Sequence, residues 1–124
     1  MGKALVVDDS RAIRMIISRT LSELGYEVRE AANGKEALDA MEAENGAITL
    51  VLADWNMPEL DGLELLKRLR QEPAWAKVVV VMVTTETDVS MMAAAMEAGA
   101  NEYVMKPFTK EILVEKLQLL GVRL

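Results

Sequence analysis

Short apolar runs alternate along this chain with stretches whose apolar residues recur every three or four positions. Ala4-Leu5-Val6-Val7 is the first run. Ile13, Ile16, Ile17, Thr20, Leu21 and Leu24 then follow helical spacing, and Gly25 sits where a helix stops. Tyr26 to Ala31 is strand-like but alternates with polar residues, as an edge strand does. Ala37, Leu38 and Met41 mark a second helix, closed by Asn45-Gly46, and Ile48 to Ala53 is another apolar strand. Leu63, Leu65, Leu66 and Leu69 mark a third helix. Val78 to Val83 is apolar throughout, the pattern of a strand covered on both faces. Val89, Met92, Ala93 and Met96 predict a fourth helix ending at Gly99. Glu102 to Met105 is a short strand, and Ile112, Leu113, Leu117 and Leu120 predict a fifth helix. On this spacing Met92 and Met96 belong to the core, and Met91, off the stripe, is the candidate for a surface contact.

Five strand–helix units predict an α/β fold, a parallel sheet with helices on both faces. Nothing resembles a linker, a low-complexity stretch or a second domain, so residues 1–124 read as one domain. Right-handed crossovers bring the carboxyl ends of all the strands to one edge, where ligands bind in such folds. The residues that follow the strands therefore belong together. They are Asp8-Asp9, Asp54, Thr84 and Lys106-Pro107.

Composition narrows the chemistry these residues can perform. With 124 residues, 52% of them hydrophobic, the chain can build a core without staples, burying roughly two-thirds of its unfolded surface. It has no cysteine and no histidine, which removes disulfides, thiolate metal sites, the usual general base and the commonest metal ligand. A net charge of −6 disfavours a nucleic-acid backbone as partner. No apolar run approaches the roughly 20 residues needed to span a bilayer. Met1-Gly2-Lys3-Ala4 runs directly into a strand, leaving no room for a signal peptide, and position 6 is not the serine or threonine of a myristoylation signal. A cytoplasmic protein is expected.

Each site signal has an ordinary alternative. Asp8-Asp9 could cap a helix, Asp54 could start the turn at Met57-Pro58, Thr84 could cap helix four, and Lys106-Pro107 could be a plain turn. Four such signals at four strand ends are harder to dismiss. Three carboxylates at one edge repel each other and need cations. Lys106 supplies one, and a hard divalent ion with oxygen ligands is the natural second, with Mg²⁺ fitting well and Mn²⁺ similar. An aspartate beside such an ion and a lysine can act as a nucleophile toward phosphorus. The Thr84 hydroxyl could hydrogen-bond a phosphoryl oxygen.

Leu5-Val6-Val7-Asp8-Asp9-Ser10, Asp54-Trp55-Asn56-Met57-Pro58-Glu59-Leu60-Asp61-Gly62, Val83-Thr84 and Lys106-Pro107-Phe108, in that order and spacing, resemble the receiver domains of two-component response regulators, over essentially the whole chain. The resemblance implies a flavodoxin-like, doubly wound sheet of strand order 2-1-3-4-5. It implies that Asp54 accepts a phosphoryl group from a histidine kinase or phosphotransfer domain. It also implies that Asp9 binds Mg²⁺ directly, Asp8 largely through water, and Asn56 through its backbone carbonyl, while Lys106 pairs with the phosphate and precedes a cis proline bond. Thr84 and Tyr103 look like the family's switch pair: as Thr84 is drawn to the phosphate, Tyr103 swings inward and reshapes the face of helix four, strand five and helix five. Asn56 and Glu86 stand where the family tunes dephosphorylation. The implied protein is a monomeric, single-domain signalling switch rather than an enzyme. It would signal by phosphorylation-dependent protein binding of chemotaxis type, or else serve as a phosphorelay shuttle or kinase-network regulator.

Some residues depart from the pattern. Thr85 stands where the family usually carries alanine or glycine, which narrows the approach to the phosphate and bears on the phosphorylation lifetime. Helix four opens Thr87-Asp88-Val89-Ser90, where enteric chemotaxis regulators carry two lysines, although Lys116 matches a partner-contacting lysine. The last helix is short. Two other classes fit less well. A phosphatase of the haloacid dehalogenase type needs a second aspartate where Asn56 stands, and a flavodoxin-like electron carrier would have its flavin phosphate repelled by Asp8-Asp9.

Overall fold

A computed structural model of the chain describes residues 2–57, 59–85 and 88–121. Strands β1 (Lys3–Val7), β2 (Glu27–Ala31), β3 (Ile48–Ala53), β4 (Val79–Thr84) and β5 (Glu102–Met105) alternate with helices α1 (Arg11–Glu23), α2 (Gly34–Glu44), α3 (Gly62–Gln71), α4 (Val89–Glu97) and α5 (Lys110–Leu119). All strand pairs are parallel and the order is β2-β1-β3-β4-β5, as the resemblance implied. Every helix starts at a side-chain cap. Ser10, Asn33, Asp61, Asp88 and Thr109 each accept a backbone N–H from the first turn. Helix α2 ends on Asn45 in the left-handed region (φ 48°), where asparagine is tolerated.

The sheet separates two apolar layers. Leu5, Val51 and Met82 pack under α2, α3 and α4, joined by Met41, Leu65, Leu66 and Ala95. Val6, Leu52, Val81 and Val83 pack under α1 and α5, with Ile17, Leu21, Leu113 and Leu117. The central strands β3 and β4 are buried almost throughout, whereas β2, at one edge, exposes Glu27, Arg29 and Glu30. Parallel sheets covered on both faces demand this contrast.

Several apolar positions on helical spacing are not core. Ile16, Val89, Met96 and Ile112 are exposed, and Met91 is half-buried against the core together with Met92. The periodic stripe is wider than the arc each helix buries, so spacing alone misplaces its borders. A 3₁₀ turn, Pro73–Trp75, also precedes β4 with no periodic signal in the sequence.

At the sheet's other end, Glu44 of α2 accepts from Lys3 (2.6 Å) and Arg29 (2.8 Å), tying β1 and β2 to that helix. These bonds, Lys3 foremost, hold the Glu44 carboxyl below its ordinary value of 4.5. A carboxylate with a depressed pKa stabilises the fold above its unfolded value, and that contribution is lost as pH falls through the folded value. Glu44→Gln is therefore expected to lower the urea midpoint at neutral pH and to match the parent chain well below pH 4.5. A gap that persists unchanged into acid would contradict this account.

Candidate functional site

Three backbone hydrogen bonds continue the sheet one residue past its strands. Asp8 N donates to Ala31 O (3.1 Å), Asp54 N to Val7 O (2.9 Å) and Lys106 N to Thr84 O (2.9 Å). They fix the first residue after β1, β3 and β5 as rigidly as a strand residue. The chain then turns away into a helix at Ser10 and at Asp61, whose caps end the extended backbone.

The sequence-predicted residues converge there. Carboxylate oxygens of Asp8, Asp9 and Asp54 lie within 4.8 Å of one another. Asp8 and Asp54 are buried, while Asp9 is exposed at the mouth. Lys106 Nζ reaches past β4 to Asp54 Oδ2 at 3.4 Å and past β4 and β3 to Asp8 Oδ2 at 2.6 Å. The remaining oxygens of those carboxylates accept backbone N–H groups, Asp8 Oδ1 from Ser10 (2.8 Å) and Asp54 Oδ1 from Trp55 (2.7 Å). Thr84 ends β4 at the same edge, fully buried, and the Lys106-Pro107 bond is cis. Asn56 lies exposed two residues beyond Asp54, and Thr85 is exposed beside Thr84. Glu86 lies outside the described residues.

Tyr103 is placed differently. It pairs with Met82, two residues short of the edge, and its ring is already buried in the layer under α2, α3 and α4. An inward swing thus has no outward starting point in this structure. The ring is the largest apolar surface β5 can give that layer, and burying it is favourable without any signal.

Other residues hold the site without having been legible in the sequence. Arg14 of α1 donates from Nη1 to the carbonyl of Asp8 (2.7 Å) and from Nε to Glu30 (3.1 Å). A lone arginine on a helix reads as a solvent-facing charge, and only the fold turns it inward. At the start of α3, a Cβ on Gly62 would lie 2.2 Å from the carbonyl oxygen of Asp54, and Gly62 N donates to Trp55 O. Gly62 was legible as part of a motif, but its reason, close approach of helix and loop, was not.

Three carboxylates face one ammonium, leaving a local charge of −2. Two like charges 4 Å apart cost about 4 kcal/mol at an effective dielectric of 20. The donors are all oxygen, the deficit matches a divalent cation, and no nitrogen or sulfur ligand competes. The residues therefore fit Mg²⁺ or Mn²⁺.

The model of the response regulator receiver domain matches residues 4–118. The chain belongs to the response regulator receiver family. It is 45% identical over 118 residues to the chemotaxis protein CheY1 of Helicobacter pylori, covering 94% of each chain. The chemotaxis protein CheY homolog of Campylobacter jejuni is 45% identical over 117 residues, 94% of this chain and 89% of the relative. Among solved structures, chemotaxis protein CheY4 of Vibrio cholerae superposes with a TM-score of 0.89 at 37% identity, over 97% of this chain and 98% of that one. The receiver is thus CheY-like, a signalling module of a two-component system. Receivers of this type bind Mg²⁺ at an acidic pocket and interact with histidine kinases and downstream proteins. Among the described residues, no helix is long and apolar enough to cross a membrane.

Proposed function

We propose that Asp54 accepts a phosphoryl group from a histidine kinase or phosphotransfer domain. The observation that carries this is its buried carboxylate, held at the sheet edge between Asp8, Asp9 and Lys106. A carboxylate oxygen of Asp54 forms the bond to phosphorus as the bond from phosphorus to the donor's imidazole nitrogen breaks, the electron pair leaving with the imidazole. Bound Mg²⁺ supplies charge neutralisation for the equatorial oxygens. Asp8, Asp9, Asp54 and the backbone carbonyl of Asn56 would hold it. Lys106 moves from Asp8 toward the new phosphoryl group, and the Thr84 hydroxyl binds another of its oxygens. Asn56 and Glu86 set water's access to the acyl phosphate, and Thr85, exposed beside Thr84, bears on the rates of its formation and loss.

The signal leaves through Thr84 and Tyr103 to the face of α4, β5 and α5. Supporting this, Thr84 and Met82, the register partner of Tyr103, share β4. The chain acts as a monomeric cytoplasmic switch and turns over no substrate beyond its own acyl phosphate. A chemotaxis output is supported by the names of the relatives. A phosphorelay shuttle or kinase-network regulator is the second reading, favoured by α4, whose Val89–Glu97 carries no lysine or arginine.

Acetyl phosphate with Mg²⁺ tests the acceptor. After borohydride reduction, which converts an aspartyl phosphate to homoserine, peptide mass mapping is expected to place the change at Asp54. Modification at any other residue, or equal labelling in excess chelator, would refute the assignment.

A further inference from the structure

Beyond the sheet-edge site and the α4–β5–α5 face lies a groove between α2 and α3. Three cavities of about 290, 260 and 310 Å³ follow one another along it. Neighbours share walls, the first two Leu38 and Arg68, the last two Glu42, Glu72 and Trp75. One wall is Lys35, Leu38 and Glu42, spaced at i, i+3 and i+7 on α2. The other is Arg68, Glu72 and Trp75, spaced at i, i+4 and i+7 on α3 and the following 3₁₀ turn. From Lys35 to Asn45 the groove runs about 15 Å, at 1.5 Å per residue.

The groove is polarised. Lys35 and Arg68 flank one end, with Glu59 at its rim, and Glu42 and Glu72 flank the other. Among the described residues, none of these five charges forms an ion pair within 4 Å, whereas Lys3, Arg14, Arg29, Lys106, Lys110 and Lys116 are all engaged elsewhere. Half-buried Leu38 lies between the charged ends, and half-buried Trp75 lines the acidic end beside Glu42 and Glu72. Trp55, Tyr26 and Tyr103 are buried, whereas Trp75 is only half-buried and leaves part of its ring open to a partner. Tryptophan is among the residues most enriched at the energetic centres of interfaces.

We infer that this groove docks an amphipathic helix of a partner protein, about three turns long. One end of that helix carries an acidic residue for Lys35 and Arg68, and the other a basic residue for Glu42 and Glu72. Its apolar side rests on Leu38 and Trp75, as helices seat in grooves elsewhere. Charge complementarity selects this occupant: a helix charged alike at both ends meets repulsion at one of them.

The test uses the full ¹⁵N-labelled chain and three synthetic helical peptides of about 15 residues. They share a leucine face and carry Glu and Lys, two Lys or two Glu at their ends. The mixed peptide is expected to shift the Trp75 indole signal and the amides of Lys35, Leu38 and Glu42, binding at least tenfold tighter than either like-charged peptide. The chain with Lys35→Glu and Arg68→Glu, both exposed positions, is expected to prefer the two-lysine peptide by a similar factor. Trp75→Ala weakens the mixed peptide tenfold, and Met96→Ser on α4 leaves it unchanged. Equal binding of all three peptides, shifts confined to other surfaces, or no binding at millimolar concentration would overturn the inference. So would concentration-dependent dimerisation of the parent chain abolished by the double variant, since the occupant would then be a second copy.

Discussion

Asp54→Ala is expected to end Mg²⁺-dependent labelling by acetyl phosphate and, in the metal-free protein, to raise thermal stability. Both effects come from one geometry. In the parent chain Asp54 shares a cleft under 5 Å wide with Asp8 and Asp9, and Lys106 sits closer to Asp8 than to Asp54. Removing Asp54 halves the charge deficit from −2 to −1. Repulsion of about 4 kcal/mol per close pair, offset by the lysine and by the N–H bond from Trp55, leaves a net gain of about 1 kcal/mol. For a chain of this size that is a rise of about 4 °C in melting temperature. The variant is also expected to lose most of the stabilisation that millimolar Mg²⁺ gives the parent, because binding to the folded state alone raises stability by mass action. Melting curves with and without Mg²⁺ read both. A variant less stable than its parent without metal would mean that Asp54 is held by its hydrogen bonds more than it is repelled, and the electrostatic account would fail.

Gly62→Ala is expected to destabilise the fold by about 3 kcal/mol, the upper end of what overpacking costs. The added Cβ would sit 2.2 Å from the carbonyl oxygen of Asp54 and 2.9 Å from the Cα of Trp55. Neither can yield alone. Asp54 N is bonded to Val7 and Trp55 O accepts from Gly62 itself, so the loop and the helix must separate together. A separation of even half an ångström moves the Asp54 carboxylate relative to Lys106. The urea midpoint should fall with an unchanged slope, and the initial rate of labelling should fall with it. An unchanged midpoint would show that the start of α3 yields without resistance.

Much of this was open to sequence reading because the fold repeats one physical device five times. Apolar runs such as Ile48–Ala53 coincide with their strands, and Asp8, Asp9, Asp54, Thr84 and Lys106 lie at one edge because strand ends in a parallel sheet must. What stayed hidden depends on rotation and reach rather than order. Which flank of α4 faces the core decides between Met91 and Met96, and only packing fixes that angle. Arg14 and Arg70 reach out from their helices to grip backbone carbonyls, Arg70 joining Gly99, Ala76 and Val78 to α3, and no local pattern announces such a grip. Tyr103 shows the limit of resemblance, which names a moving part but not its resting position.

The three ladder bonds that overrun β1, β3 and β5 also bear on when the site exists. Amides bonded into the ladder of a sheet covered on both faces exchange with solvent mainly through large-scale opening, whereas loop amides exchange through local fluctuation. Asp8, Asp54 and Lys106 donate the first kind of bond, although each begins a loop. Deuterium should therefore reach these three amides on the timescale of the core. The acceptor would be assembled in nearly every folded molecule, and a donor would find it ready rather than wait for it to form.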